Sequence, residues 1–143
     1  MYTKQIKHNS LDYMAALKLR TDILRRPLGK QLSFSDTAGE EAQLHFGYYK
    51  HHHLLACVVI KSVRNAATAK LRQMAVDTHL QGQGIGKALI VDIEKILKQT
   101  GYKTIELSAR KTAQGFYEKL GYNALGSVYL EHGIEHLSMQ KML

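Results

Sequence analysis

The sequence predicts a mixed α/β domain in which helices cover a central sheet. Two observations carry this reading. The segment Gly84–Thr100 repeats apolar residues at helical spacing, whereas Lys103–Ser108 and several other segments alternate with a two-residue period. The two kinds of segment also interleave along the chain instead of falling into separate blocks. A chain of 143 residues, 45% hydrophobic and 22% charged, suits one domain with its own core.

In order, Met1–Lys7 reads as a short strand. Asn9 or Ser10 caps a helix whose inward face is Leu11, Met14, Ala15 and Leu19. Pro27 and Gly29 break it inside the basic stretch Leu24–Lys30. Lys30–Glu40 is polar and serine-rich, either a short helix or a loop. Ala42–Tyr49 and Leu54–Ser62 read as a hairpin across Lys50–His53. Lys70–Asp77 is a further strand with a slip of apolar phase, Leu71 on one face and Met74 and Val76 on the other, as a β-bulge would produce. Gly84–Thr100 is the main helix, with Ile85, Ala88, Leu89, Ile93, Ile96 and Leu97 inward and Gly101 as its stop. Lys103–Ser108 is a strand and Thr112–Leu120 a short helix ended by Gly121. Ala124–Glu131 and Ile134–Leu143 close the chain as a strand pair around Gly133.

Several function classes are set aside. The net charge is +8, but the Lys and Arg residues are scattered, with no basic stripe interleaved with aromatics, so no nucleic-acid partner is expected. The apolar run Leu54–Ile60 is too short to span a bilayer, and the first residues lack a signal-peptide core. A soluble cytoplasmic protein with no membrane partner is expected. Cys57 lies inside that apolar run and reads as a buried structural thiol. His51–His53 are consecutive at a hairpin tip and cannot converge on one ion, so no metal is expected.

The informative stretch is Asp77–Leu97, "DTHLQGQGIGKALIVDIEKIL", where Gly82, Gly84 and Gly86 directly precede the main helix. Such a loop presents backbone N–H groups and a helix N-terminus to an anion. A P-loop is excluded because Gly86-Lys87 is followed by Ala88, which lacks the metal-binding hydroxyl. A dinucleotide fingerprint is excluded because Lys87 stands where the third glycine belongs. The pattern Q/R-x-x-G-x-G/A is matched by Gln81, Gly84 and Gly86.

At this point the chain resembles the GNAT family of acyl-coenzyme A-dependent N-acyltransferases. "LRQMAVD", "QGQGIG" and "KALIVDIEKIL" follow that family's main cofactor motif in order, and "IELSARKTAQGFYEKLGY" (Ile105–Tyr122) is similar to its second strand–helix motif. The resemblance implies a single GNAT domain over residues 1–143, with a mixed, mostly antiparallel sheet flanked by helices. It implies acetyl-coenzyme A as cosubstrate. Its diphosphate would be held by Gln81, Gly82, Gln83, Gly84, Ile85, Gly86 and Lys87. Glycine lets the chain curl round the diphosphate without intruding side chains. The backbone of Met74, Ala75 and Val76 would pair with the pantetheine arm, with Ser108, Phe116 and Tyr117 beside the cofactor. Phe116 itself reads as a core residue.

By the same resemblance Tyr117 protonates the departing thiolate. The tail "YLEHGIEHLSMQKML" is similar to a branch of the family through Glu131, Gly133, Ile134, His136 and Met139, with Glu135 in place of proline. Arg20, Leu24, Arg25, Pro27, Leu28 and Gly29 follow that branch near its start. His136 or Glu131 is the candidate base or amine ligand. Arg20, Arg25 and Arg26 fall where the acceptor site is walled, which points to an anionic or phosphorylated small-molecule amine. The expected reaction is direct acetyl transfer to a primary amine in a ternary complex. The alternatives are a peptide or protein acceptor, and an acyl-coenzyme A sensor without turnover. The oligomeric state is left open, a homodimer included.

Overall fold

The computed structural model describes residues 1–63 and 67–143. Its strands form a seven-stranded sheet in the order β1-β2-β3-β4-β5-β7-β6, mixed and mostly antiparallel. The strands are β1 (Tyr2–Ile6), β2 (Leu44–Lys50), β3 (His53–Val63), β4 (Thr68–Val76), β5 (Thr104–Arg110), β6 (Asn123–Glu131) and β7 (Ile134–Met142). The helices are α1 (Leu11–Arg20), α2 (Phe34–Thr37), α3 (Ile85–Gln99) and α4 (Gln114–Lys119). Two compact units are distinguished: Met1–Lys61 with Gln73–Ile93, and Ser62–Arg72 with Glu94–Leu143.

In the first unit, β1 pairs antiparallel with β2, and β2 with β3, as the expected hairpin. Ser10 starts α1 by accepting the Tyr13 N–H at 3.1 Å. The inward face of α1 differs from the expected one. Leu11 is 90% exposed and Met14 60% exposed, while Tyr13, Ala16 and Arg20 are buried. The reason is a buried arginine, which a hydrophobic count assigns to solvent. Tyr13 and Ala16 pack with Ile6, Cys57 and Ala75, and Leu17, Ile23 and Leu24 lean on this cluster. Cys57 is buried there, and burial pushes its thiol up to about 12. Beyond Arg20 the chain continues into a π-type turn, Thr21–Arg25. A 3-10 turn, Arg26–Leu28, follows, and Gly29 caps it. Polar Lys30–Glu40 does hold a short helix: Ser33 and Asp36 cap α2 reciprocally.

In the second unit, β4 runs parallel to β5 from Thr68↔Thr104 to Leu71↔Leu107. β7 pairs antiparallel with β5 on one side and β6 on the other. Ile105, Leu107 and Ala109 are buried. Glu94 of α3 accepts the Tyr122 hydroxyl at 2.9 Å and the Lys141 ammonium at 3.0 Å. The same ammonium reaches the Leu120 carbonyl at 2.7 Å, which fixes the end of α4. All nine residues of β6 are exposed, and it is an edge strand.

Candidate functional site

The glycine loop lies between β4 and α3 in the first unit. Asp77 turns the chain by accepting the His79 N–H at 3.0 Å, and the Gln81 amide donates to the Val76 carbonyl at 3.1 Å. Gly82 and Gly84 both take φ 81°, the left-handed region, with open space where a Cβ would stand. At the start of α3 the Ala88 N–H donates to the Gly84 carbonyl at 3.0 Å. The N–H groups of Ile85, Gly86 and Lys87 precede it and, in the first turn of a helix, have no intrahelical acceptor. Gly82, Gln83, Gly84 and Lys87 are exposed. A run of N–H donors at the positive end of a helix suits a diphosphate in charge and in bulk.

β4 leads into this loop, and its irregularity sits at Gln73, with φ 54°. Pairing with β5 ends at Leu71. The expected slip of burial does not accompany it: Ala69, Leu71 and Ala75 are buried, and Met74 and Val76 are only half-buried. A single left-handed residue has re-aimed the backbone without exchanging the two faces.

In the second unit, Tyr117 projects from α4 and is 8% exposed. It meets Phe116 and Tyr122 edge-on, at 5.0 and 5.7 Å between ring centroids. Burial alone pushes its hydroxyl up to about 12. Phe116 is 40% exposed, so it is a surface residue and not the core residue expected.

A polar cluster joins β5, β6 and β7 in the same unit. The Ser108 hydroxyl donates to Glu131 Oε2 at 2.9 Å and hydrogen-bonds the Tyr129 hydroxyl. The Tyr129 ring stacks on His136, 6.2 Å between centroids and 27° between planes. His136 is 9% exposed, and its Nδ1 lies 2.7 Å from the Ile134 carbonyl. A carbonyl can only accept, so Nδ1 carries a proton, and in the neutral ring Nε2 is the nitrogen with the lone pair. Ser108, Glu131 and His136 are thus brought together, and the residue joining them, Tyr129, was missed from sequence. It stands two residues before Glu131 on β6, which puts both on one face. That spacing was the available signal.

The three arginines differ. Arg20 is 1% exposed and forks onto Glu40, Nη1 to Oε1 at 2.8 Å and Nη2 to Oε2 at 2.6 Å. Arg25 holds Asp36 through Nη2 at 3.0 Å and Nε at 3.2 Å. Burial works against the Asp36 charge, but the Arg25 and Ser33 bonds outweigh it and hold the carboxyl far below the usual range. Arg26 is 70% exposed and meets Asp22 at 3.0 Å. Among the described residues no group of side chains could hold a metal ion, and no helix is long and apolar enough to cross a membrane. His51, His52 and His53 are exposed at the hairpin tip.

A family model described as an acetyltransferase (GNAT) domain matches residues 25–143. The chain belongs to the GNAT acetyltransferase family. Among curated relatives, the uncharacterised protein YyaT of Bacillus subtilis is 35% identical over 74 residues, covering 52% of this chain and 50% of that protein. The chain spans about half the length of the curated relatives it matches. Among solved structures, an acyl-CoA N-acyltransferase from Pseudomonas aeruginosa superposes with a TM-score of 0.83 at 22% identity, covering 98% of each chain. An aminoglycoside 6'-N-acetyltransferase in complex with coenzyme A gives 0.78 at 18% identity, covering 99% of this chain and 97% of that one. These identities speak for the GNAT fold alone.

Proposed function

We propose that this GNAT chain is an acetyl-coenzyme A-dependent N-acetyltransferase acting on a primary amine of a small molecule. The observation that carries the reading is the loop Gln81–Lys87. It has two glycines at φ 81°, open space where each Cβ would stand, and first-turn N–H groups of α3 that have no intrahelical acceptor. Those features fit a diphosphate and have no evident purpose in packing. Coenzyme A, when bound, supplies the acetyl group as an activated thioester. The N–H groups of Gly82 to Lys87 would hold its diphosphate, and the backbone of Met74–Val76 would meet the amides of its pantetheine arm.

The remaining roles belong to side chains of this chain. The Tyr117 hydroxyl, with no bonded partner among the described residues, would give its proton to the leaving sulfur and hydrogen-bond it beforehand. His136 Nε2, the lone-pair nitrogen of the neutral ring, would take a proton from the amine. Glu131, held by Ser108, would attract the amine while it is still an ammonium. The new bond forms from amine nitrogen to acetyl carbon as the carbon–sulfur bond breaks. No covalent acetyl-enzyme is needed.

Calorimetric titration with coenzyme A and acetyl-coenzyme A tests the loop, and thiol release against a panel of small amines and peptides tests the acceptor. Saturable binding and release with small amines are expected. Absence of binding overturns the reading. Binding without release from any amine favours a sensor, and release with peptides alone favours a peptide N-acetyltransferase.

A further inference from the structure

Gln73 poses a question that the cofactor loop does not answer. Among the described residues it is the one non-glycine residue that takes a left-handed conformation inside a strand, at φ 54°. A side-chain-bearing residue stays there only when its surroundings over-determine it. The surroundings here are a buried polar network in the first unit. Arg20 Nε donates to Gln73 Oε1 at 3.2 Å. The other guanidinium nitrogens of Arg20 are committed to both oxygens of Glu40, whose side chain is fully buried. Glu40 is in turn fixed twice more: the Tyr13 hydroxyl donates to Oε1 at 2.7 Å, and His45 Nε2 bonds its backbone carbonyl at 2.8 Å. A guanidinium is planar, so a bidentate grip on Glu40 also settles where Nε points. It points at Gln73.

The two residues beyond Gln73 complete the arrangement. β4 no longer pairs with β5 after Leu71, so on that side no strand holds the backbone, while β3 remains its neighbour on the other. Ala75 is 1% exposed and packs in the same cluster as Tyr13 and Ala16. Gln73 is therefore tethered through its side chain to α1, and Ala75 is seated on α1 by packing. Met74 lies between two fixed points.

We infer that Arg20 and Gln73 form a clamp that positions the backbone of Met74–Val76 to receive the pantetheine arm of coenzyme A. The inference rests on the cofactor reading above. It makes Arg20 a positioning residue on the cofactor side, its charge engaged by Glu40 and not presented to an anionic acceptor. The clamp predicts a split. Losing it raises the KM for acetyl-coenzyme A and leaves the KM for the amine unchanged.

The test uses Gln73, which is half-buried, because removing Arg20 would strand a buried Glu40 and endanger folding. Gln73→Leu keeps the size and deletes the acceptor, while Gln73→Glu keeps an acceptor for Arg20 Nε. Titration with coenzyme A is expected to show about tenfold weaker binding for Gln73→Leu and near-wild-type binding for Gln73→Glu. Amide exchange at Met74–Val76, measured without cofactor, is expected to quicken in Gln73→Leu alone. Wild-type binding and wild-type exchange in Gln73→Leu overturn the clamp. If the wild-type chain itself fails to bind coenzyme A, the cofactor reading falls, and the exchange measurement still decides whether Gln73 is held by Arg20.

Discussion

Tyr117 shows how much a single side chain is asked to do. Burial keeps its phenol protonated, and its hydroxyl has no bonded partner among the described residues, unlike Tyr122, whose hydroxyl is taken by Glu94. Tyr117→Phe is expected to lower kcat by about a hundredfold or more and to leave the affinity for coenzyme A within about twofold; stopped-assay kinetics beside calorimetric titration check both. The arginines divide in a comparable way. Arg25→Ala leaves Asp36 without its main partner and is expected to cost about 1–3 kcal/mol of stability, read by urea denaturation. Arg26→Ala, at an exposed position, is expected to leave stability within about 0.5 kcal/mol. If the acceptor is anionic, it raises the KM for the amine alone. At this scale the sequence was readable where backbone geometry demands a residue type, as at the left-handed Gly84. It was silent on the pairing of Arg20 with Glu40, because burial of an ion pair depends on two segments meeting that no local pattern links.

The element between β4 and α3 owes its shape to two left-handed glycines. Gly84→Ala meets no atom within 4 Å, so its cost is conformational and not steric. The expected loss is about 1–2 kcal/mol of stability, with markedly weaker coenzyme A binding, both measurable on one purified variant. Elements were the most legible level. The amphipathic period of α3, the alternation of β5 and the glycine stops at the ends of α3 and α4 are local signals, and local structure obeys them. α1 is the exception. Its inward face is Tyr13, Ala16 and Arg20, and the apolar pair Leu11 and Met14 points to solvent, because the buried Glu40 beneath needs a cation and a phenol more than it needs leucine. The irregularity in β4 was anticipated from a change of apolar phase, yet it arises from a backbone torsion at Gln73 with the buried phase preserved.

For the molecule as a whole, the buried acids of weak strength set an alkaline limit. Burial pushes Cys57 from 9.0 up to about 12. It also pushes Tyr13 and Tyr117 from 10.0 up to about 12, for Tyr13 with help from Glu40. Each keeps its proton in the folded state at pH values where the unfolded chain has lost it. Stability from these groups is therefore complete below about pH 9 and is lost as pH rises from there towards 12. Urea midpoints at a series of pH values are expected to fall across that window. Asp36 acts in the opposite sense: its depressed pKa contributes stability above the ordinary carboxylate range that disappears on acidification. The seven-stranded order was legible only in part, since pairing of β4 with β5 and the insertion of β7 between β5 and β6 are long-range facts.

The exposed last-but-one strand bears on how copies of this protein behave towards each other. Leu125, Val128 and Leu130 stand 42%, 43% and 71% open along an unpaired rim, the kind of rim that invites another backbone to zip onto it. What opposes that at neutral pH is mutual repulsion from a charge of +8. Concentrated salt or a buffer near pH 9.6 takes the repulsion away while the rim stays bare. Light scattering is therefore expected to rise with protein concentration in high salt or near pH 9.6, and to stay low in dilute salt at neutral pH.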